Sequence, residues 1–237
     1  MHEYPPIVFI HGAGGGRWEW RTWRAEFDAH AWQTLAPDLH PALAGLAATT
    51  IEDYVEQIVA LLPARPSTPP VLAGASMGGA LALTVAERVR PAALVLVNSV
   101  PPSGTPGWPV RRGDFPAVIP WSTTSTLDGT RASMPEADEE TLRWATAQWR
   151  DESGAVMRAL HAGLAAAPPP VPTLVIIGAA DEDIPPRVGL ALAERLRADL
   201  MCFAGVSHVG ALLGKRAGVI AILARAWLEA TLAADSR

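Results

Sequence analysis

The sequence predicts an α/β fold, a mostly parallel sheet with helices on both faces and a small helical cap. Three observations predict it. Six short apolar runs recur along the chain, each unbroken rather than alternating, as in strands buried on both faces of a parallel sheet. Segments of helical periodicity separate them, which is the arrangement of a doubly wound sheet. The alternation lapses between about Pro101 and Pro172, where prolines, tryptophans and helical patterns occur without a strand signal. A chain of 237 residues is long enough to bury one sizeable core.

The predicted strands are Ile7 to Ile10, Thr34 to Ala36, Val71 to Ala73, Ala93 to Val97, Thr173 to Ile177 and Leu200 to Phe203. Between Ile51 and Leu62, Ile51, Tyr54, Val55, Ile58, Leu61 and Leu62 form one helical stripe, and Thr49 with Glu52 or Thr50 with Asp53 offers a capping box at its start. Gly78 to Arg90, Val188 to Arg197 and Arg216 to Leu232 also read as helices. Within the interruption, Ser133-Met134-Pro135-Glu136 predicts the start of a helix with Leu142, Ala145 and Trp149 on one side, and a second helix spans Gly154 to Leu164. Structureless loops beyond ~15 residues are uncommon in compact domains. The expected organisation is therefore a core of residues 1–100 and 171–237 with a helical lid at 101–170. No repeat is visible, and the only biased tracts are the proline clusters at Pro63 to Pro70 and Pro168 to Pro172.

Net charge is −5, Lys215 is the single lysine, and the arginines are scattered. That balance argues against nucleic acid or an anionic membrane as partner. No stretch reaches the ~20 uninterrupted apolar residues of a membrane helix. The start, MHEYPPIVFIHG, has neither a basic n-region nor a long apolar h-region, so no secretory signal is expected. The single cysteine, Cys202, excludes an intrachain disulfide and agrees with a reducing, cytoplasmic location.

Gly74-Ala75-Ser76-Met77-Gly78 matches the G-x-S-x-G nucleophile elbow. A serine on a sharp strand-to-helix turn needs small neighbours, and the helix that follows aims its N-terminus at the site, so the Met77 amide can donate to an oxyanion. The pentapeptide alone is a weak signal, since a small-residue turn also packs a helix onto a sheet. Its placement between a strand and a helix favours the catalytic reading. The hydroxyl needs a base, and the base an orienting acid, in the chain order Ser, Asp or Glu, His. Downstream lie His161, in the predicted lid, and His208, after the last strand; His208 is the expected base. Asp181, just beyond the strand Thr173 to Ile177, is the expected acid, with Asp183 the competitor and Glu182 less favoured. At least one of these acids is expected only to solvate the loop or cap the next helix. The turn after the preceding strand, Val97-Asn98-Ser99, offers no carboxylate.

His11-Gly12-Ala13-Gly14-Gly15-Gly16 follows the first strand, and the Ala13 amide is the expected second oxyanion donor. A dinucleotide loop is the rival reading, but G-x-G-x-x-G fails in both registers, at Arg17 and at Glu19. No Walker A lysine follows a glycine loop and no His or Cys cluster has metal-ligand spacing. No cofactor and no metal are expected.

Together, Val8-Phe9-Ile10-His11-Gly12, Ala36-Pro37-Asp38-Leu39, Gly74 to Gly79, Gly178 to Pro185 and Ser207-His208 make the chain resemble the α/β-hydrolase superfamily over nearly its whole length. The resemblance implies an α/β-hydrolase fold, a triad of Ser76, Asp181 and His208, oxyanion amides from Ala13 and Met77, and a cap over the pocket. Ala75 departs from the aromatic or His common at its position, which touches elbow packing rather than chemistry. The N-terminal hairpin usual in the superfamily is expected to be missing, which resembles the compact branch of plant methylesterases and hydroxynitrile lyases with bacterial relatives. Those lyases carry a lysine after the catalytic histidine, where this chain has Val209, and lack the glycine present here as Gly12. Both departures favour ester hydrolysis over cyanohydrin cleavage.

The expected activity is that of a serine esterase acting through an acyl-enzyme on a carboxylic ester of a hydrophobic small molecule, with methyl esters and lactones among the candidates. Lyase, cyclase or thioesterase chemistry on the same triad, and noncatalytic binding, are the alternatives. The nine tryptophans divide accordingly. Trp18, Trp20, Trp23, Trp32 and Trp227 are expected in the core, and Trp108, Trp121, Trp144 and Trp149 in the lid as pocket lining or packing.

Overall fold

The computed structural model describes residues 4–62, 68–108, 114–167 and 171–235. Of the proline clusters, Pro63, Pro66 and Pro168 to Pro170 lie outside the described residues. Strand β1 (Ile7–Ile10) leads through a 3-10 turn (Arg17–Trp20) to α1 (Arg21–Ala29) and β2 (Thr34–Leu35). Helix α2 (Ile51–Ala60), β3 (Val71–Ala75), α3 (Met77–Val89) and β4 (Ala93–Val97) follow. The next stretch holds β5 (Val118–Ile119), α4 (Trp121–Thr124), α5 (Leu127–Ser133), α6 (Glu139–Thr146), β6 (Glu152–Ser153) and α7 (Gly154–Ala162). The chain then makes β7 (Thr173–Gly178), α8 (Pro186–Leu196), β8 (Asp199–Phe203), α9 (Gly210–Leu213) and α10 (Ala217–Asp235).

Six strands form one sheet in the order β2-β1-β3-β4-β7-β8, and every neighbouring pair is parallel. The unbroken apolar runs are explained by their two faces. Ile7, Phe9, Val95 and Ile176 pack with Trp23 and Phe27 of α1 and Ile220 and Leu228 of α10. The intervening Val8, Ile10, Leu94 and Val175 pack with α2, α3 and α8 through residues such as Ile58, Leu81 and Leu192. Both sets are buried, so side chains alternate between two dry layers. The order of strand addition reverses between β1 and β3, and such a switch point opens a crevice at the carboxyl ends of the strands.

Several expectations change. Thr50 caps α2, its hydroxyl accepting from the Asp53 amide while the Asp53 carboxylate accepts from the Thr50 amide at 2.8 Å. Thr49 is buried instead, its hydroxyl bonded to the Ala42 amide and the Gly45 carbonyl. The stretch between β4 and β7 contains a two-stranded antiparallel ladder, Val118 opposite Ser153 and Ile119 opposite Glu152. Two residues a strand are too few for a period-2 signal. The helix expected from Ser133 begins later: Ser133 ends α5, and Asp138 caps α6 by accepting the Thr141 amide at 2.7 Å. Trp149 therefore lies beyond α6. A parallel bridge between Pro102 and Leu164 closes the ends of this stretch.

Trp20, Trp23 and Trp32 are buried, and Phe9 sits 4.9 Å from the Trp20 ring. Trp18 and Trp227 are half-buried, and Trp227 donates from Nε1 to Asp199 at 2.7 Å. Helix α10 over Ala217–Ala234 is long and apolar enough to cross a membrane by length and composition, with mean hydropathy 1.5. An uninterrupted-run criterion passes it over because Arg225 and Glu229 lie within it. In the fold it seats Ala221 and Ala224 in the core, and Arg225 pairs with Glu26 and Glu229.

Candidate active site

Ser76 stands between β3 and α3 with φ +52 and ψ −118, a left-handed backbone that costs energy for a residue with a Cβ. The surroundings hold it there: its amide donates to the Val97 carbonyl at 3.1 Å, and its carbonyl accepts from Gly79 and Val100. The flanking glycines are needed for space. A Cβ on Gly74 would overlap the Gly78 carbonyl, and one on Gly78 the Ile10 carbonyl. The elbow thus fits only because β1, β3 and α3 approach backbone to backbone.

His208 Nδ1 lies 2.8 Å from Asp181 Oδ2. A carboxylate only accepts, so Nδ1 carries the proton and Nε2 is left as the basic nitrogen. The other Asp181 oxygen accepts the amides of Asp183 and Ile184, each at 2.9 Å. Asp181 is buried, whereas Glu182 and Asp183 are exposed at the cavity. Burial pushes the His208 imidazole down, but the hydrogen bond and charge of Asp181, with the charges of Asp183 and Glu19, outweigh it and hold its pKa above the ordinary value. The donor atoms of Asp181, Asp183 and His208 lie within 4.8 Å of one another. Both Asp181 oxygens and Nδ1 are already committed, so this cluster suits proton handling rather than metal ligation.

The loop after β1 is held by His11. The Leu39 amide donates to His11 Nε2 at 3.0 Å, and Nδ1 lies 2.8 Å from the Gly12 carbonyl. A backbone amide only donates and a carbonyl only accepts, which places the proton on Nδ1. Burial lowers the His11 pKa to about 4, so this histidine is a neutral strut. Glu152 of β6 accepts the Gly14 amide, the Tyr54 hydroxyl and the Ser153 amide. Arg150 donates to the Leu39 and Gly15 carbonyls. The stretch between β4 and β7 is thereby fastened to the loop carrying Ala13.

Ser76, His208, Ala13 and Met77 all line one cavity of about 700 Å³. Trp108, Trp121 and Trp149 line it as well, Trp149 with its Nε1 donating to Thr130 at 2.9 Å. Trp144 does not, which corrects the pocket expectation for it: the Arg21 guanidinium lies 3.9 Å above its ring and Trp18 meets it edge-on. His161 joins the wall from α7, 4.9 Å from the Phe115 ring.

Sequence reasoning missed three residues. Asn98, after β4, accepts the Gly178 amide at 2.7 Å through Oδ1 and donates from Nδ2 to the carbonyls of Ser207 and His208. It ties the end of β7, before Asp181, to the loop carrying His208, from a backbone with φ +43. Asn98→Asp keeps the acceptor and the turn preference but sets a carboxylate oxygen against two carbonyls. We expect a loss of about 1–3 kcal/mol, read from the urea midpoint, with reduced turnover. Glu136, passed over as part of a helix start, accepts the Ser207 amide and hydroxyl at 2.9 and 2.8 Å. Glu19 is buried in the cavity wall. Nothing in the local pattern marks Asn98 or Glu136, since each acts on a segment far away in sequence, and Glu19 meets the Gly12 amide only through the turn of the loop after β1.

The sequence profile of the Alpha/beta hydrolase family matches residues 7–222. No curated protein sequence matches the chain. Among solved structures it is similar to a methylesterase from Arabidopsis, with TM-score 0.74 and 21% identity over 94% of this chain and 98% of that one. A pyrethroid hydrolase from Sphingobium faniae aligns with TM-score 0.73 and 20% identity over 95% and 98%. A variant of tomato methylketone synthase I, complexed with β-ketoheptanoate, aligns with TM-score 0.70 and 15% identity over 95% and 98%. At these identities the likeness shows the fold alone.

Proposed function

The chain belongs to the alpha/beta hydrolase family, and on that premise we propose that it is a serine hydrolase cleaving a carboxylic ester of a small molecule through an acyl-enzyme. The observation that carries this reading is one cavity lined by both Ser76 and His208, with Asp181 bonded to the far nitrogen of His208 at 2.8 Å. Ser76 Oγ attacks the acyl carbon as His208 Nε2 takes its proton. The amides of Ala13 and Met77 hold the oxyanion. The tetrahedral adduct collapses, His208 returns the proton to the leaving alkoxide, and water activated by the same nitrogen clears the acyl group. Residues 101–170 act as the cap, and Val100, Trp108, Met157 and Leu160 supply an apolar wall for a hydrophobic portion of the substrate. Thr124, Ser125, Thr126 and Thr130 also line the cavity, which leaves room for a substrate that carries polar groups beside the ester.

The test is labelling with a fluorophosphonate, mapped by mass spectrometry, followed by turnover of p-nitrophenyl esters of graded acyl length. An adduct on Ser76 and ester turnover are expected; an unlabelled Ser76 overturns the reading. The pH profile is a second check. The active base is neutral His208, whose pKa lies above the ordinary value. The logarithm of kcat/KM should therefore rise with pH and level off with a midpoint above about 6.5, measured between pH 5 and 9.

A further inference from the structure

Glu19 is a buried carboxyl in the cavity wall that has no part in the reaction above. It comes from the 3-10 turn Arg17–Trp20 and is 3% exposed. Its Oε2 accepts the Gly12 amide at 2.8 Å, whereas Oε1 has no donor among the described residues. The carboxyl fits because Gly15 has no side chain; a Cβ there would overlap Oε1. A Cβ built on Gly12 would stand 3.6 Å from both Glu19 oxygens and 3.5 Å from Ser76 Cβ. Carboxyl and nucleophile thus flank the same glycine. Glu182 and Asp183 add two acidic groups to the lining, against Arg187. Burial raises the Glu19 pKa to about 7, opposed by the Gly12 amide and the charges of His208 and Arg150.

A buried carboxylate with a single donor is under-satisfied, and an ammonium supplies both opposite charge and up to three donors. We propose that Glu19 Oε1 recognises a primary ammonium on the substrate, so that the preferred ester is an amine-bearing one and carboxylate-bearing esters are repelled. The proposal rests on the serine-hydrolase reading for the place of the ester. It makes the apolar wall and the acidic side of the cavity two halves of one specificity.

The test compares labelling rates of Ser76 by paired fluorophosphonates with three- to six-carbon chains, ending in an ammonium or in a methyl group. At pH 8 the best ammonium probe should react about tenfold faster than its methyl partner, the size of one charge-assisted contact of about 1.4 kcal/mol. Glu19→Gln keeps an acceptor for Gly12 and should bring the ratio to about one. In the unaltered protein the ratio should rise as pH passes through 7, because Glu19 becomes charged while an alkylammonium, like lysine, stays protonated to about pH 10. Taking the ratio cancels the titration of His208, and the pH series serves if the variant does not fold. A ratio of one at pH 8, an equal gain from a hydroxyl-ended probe, or loss of the ratio in Glu182→Gln or Asp183→Asn instead of Glu19→Gln overturns the proposal. If no probe labels Ser76, the hydrolase reading fails by itself. Ammonium recognition is then read from the Tm rise with hexylammonium over hexanol; a rise lost in Glu19→Gln supports it, and no rise overturns it.

Discussion

Ser76→Ala is expected to lower kcat by at least about 10⁴-fold, to abolish fluorophosphonate labelling, and to leave the fold intact. Alanine removes only the hydroxyl. The left-handed backbone at this position is held by main-chain bonds to Val97, Gly79 and Val100, none of which involves the side chain. The Tm should therefore move little, and KM for a slowly cleaved ester should stay within a few-fold, because the cavity wall loses a single atom. Full activity in Ser76→Ala would show that another group carries out the chemistry, and a collapsed fold would show that the strained turn depends on the hydroxyl.

Asp181→Asn is the second large effect, and the comparison with Asp183→Asn gives it meaning. An asparagine presents its amide to Nδ1, so the imidazole adopts the tautomer in which the wrong nitrogen is protonated. In a serine triad this costs about 10⁴-fold in kcat. The variant should also move the midpoint of the pH limb down, since the hydrogen bond and charge of Asp181 hold the His208 pKa up. Asp183 touches His208 only through its charge and is exposed, so Asp183→Asn should cost less than about tenfold. Measured kcat for the two variants on one p-nitrophenyl ester checks the pair, and the reverse ranking would assign the acid role to Asp183.

Much of this was legible in the residues. The runs of β1, β3, β4 and β7 survive because a strand buried on both faces must be largely apolar. The edge strands β2 and β8 are half-buried and largely exposed respectively, which corrects the expectation of two covered faces for them. Val71 to Ala73 marked β3 although it extends to Ala75, and Ala93 to Val97 matched β4 at both ends. Ser76 was readable because a sharp strand-to-helix turn demands small residues at fixed offsets. The short elements between β4 and β7 were not readable: β5 and β6 pair two residues each, and α4 is a single turn.

The sequence by itself determined the parallel α/β architecture and the sharp strand-to-helix turn at Ser76, because these follow from local backbone geometry and from the solvent each strand face meets. Only the tertiary structure distinguished Asp181 from Asp183. Both sit in the same loop, and what separates them is burial and the Nδ1 that one of them reaches. It likewise assigned Trp144 to packing on Arg21 while Trp149 reached the cavity. It revealed Asn98 and Glu136 as ties between loops, and it placed Glu19 and Ser76 on either side of Gly12. These roles depend on contacts between residues dozens of positions apart. Hydrophobic period and turn chemistry carry no record of such distances, and folding alone brings the groups within hydrogen-bonding range.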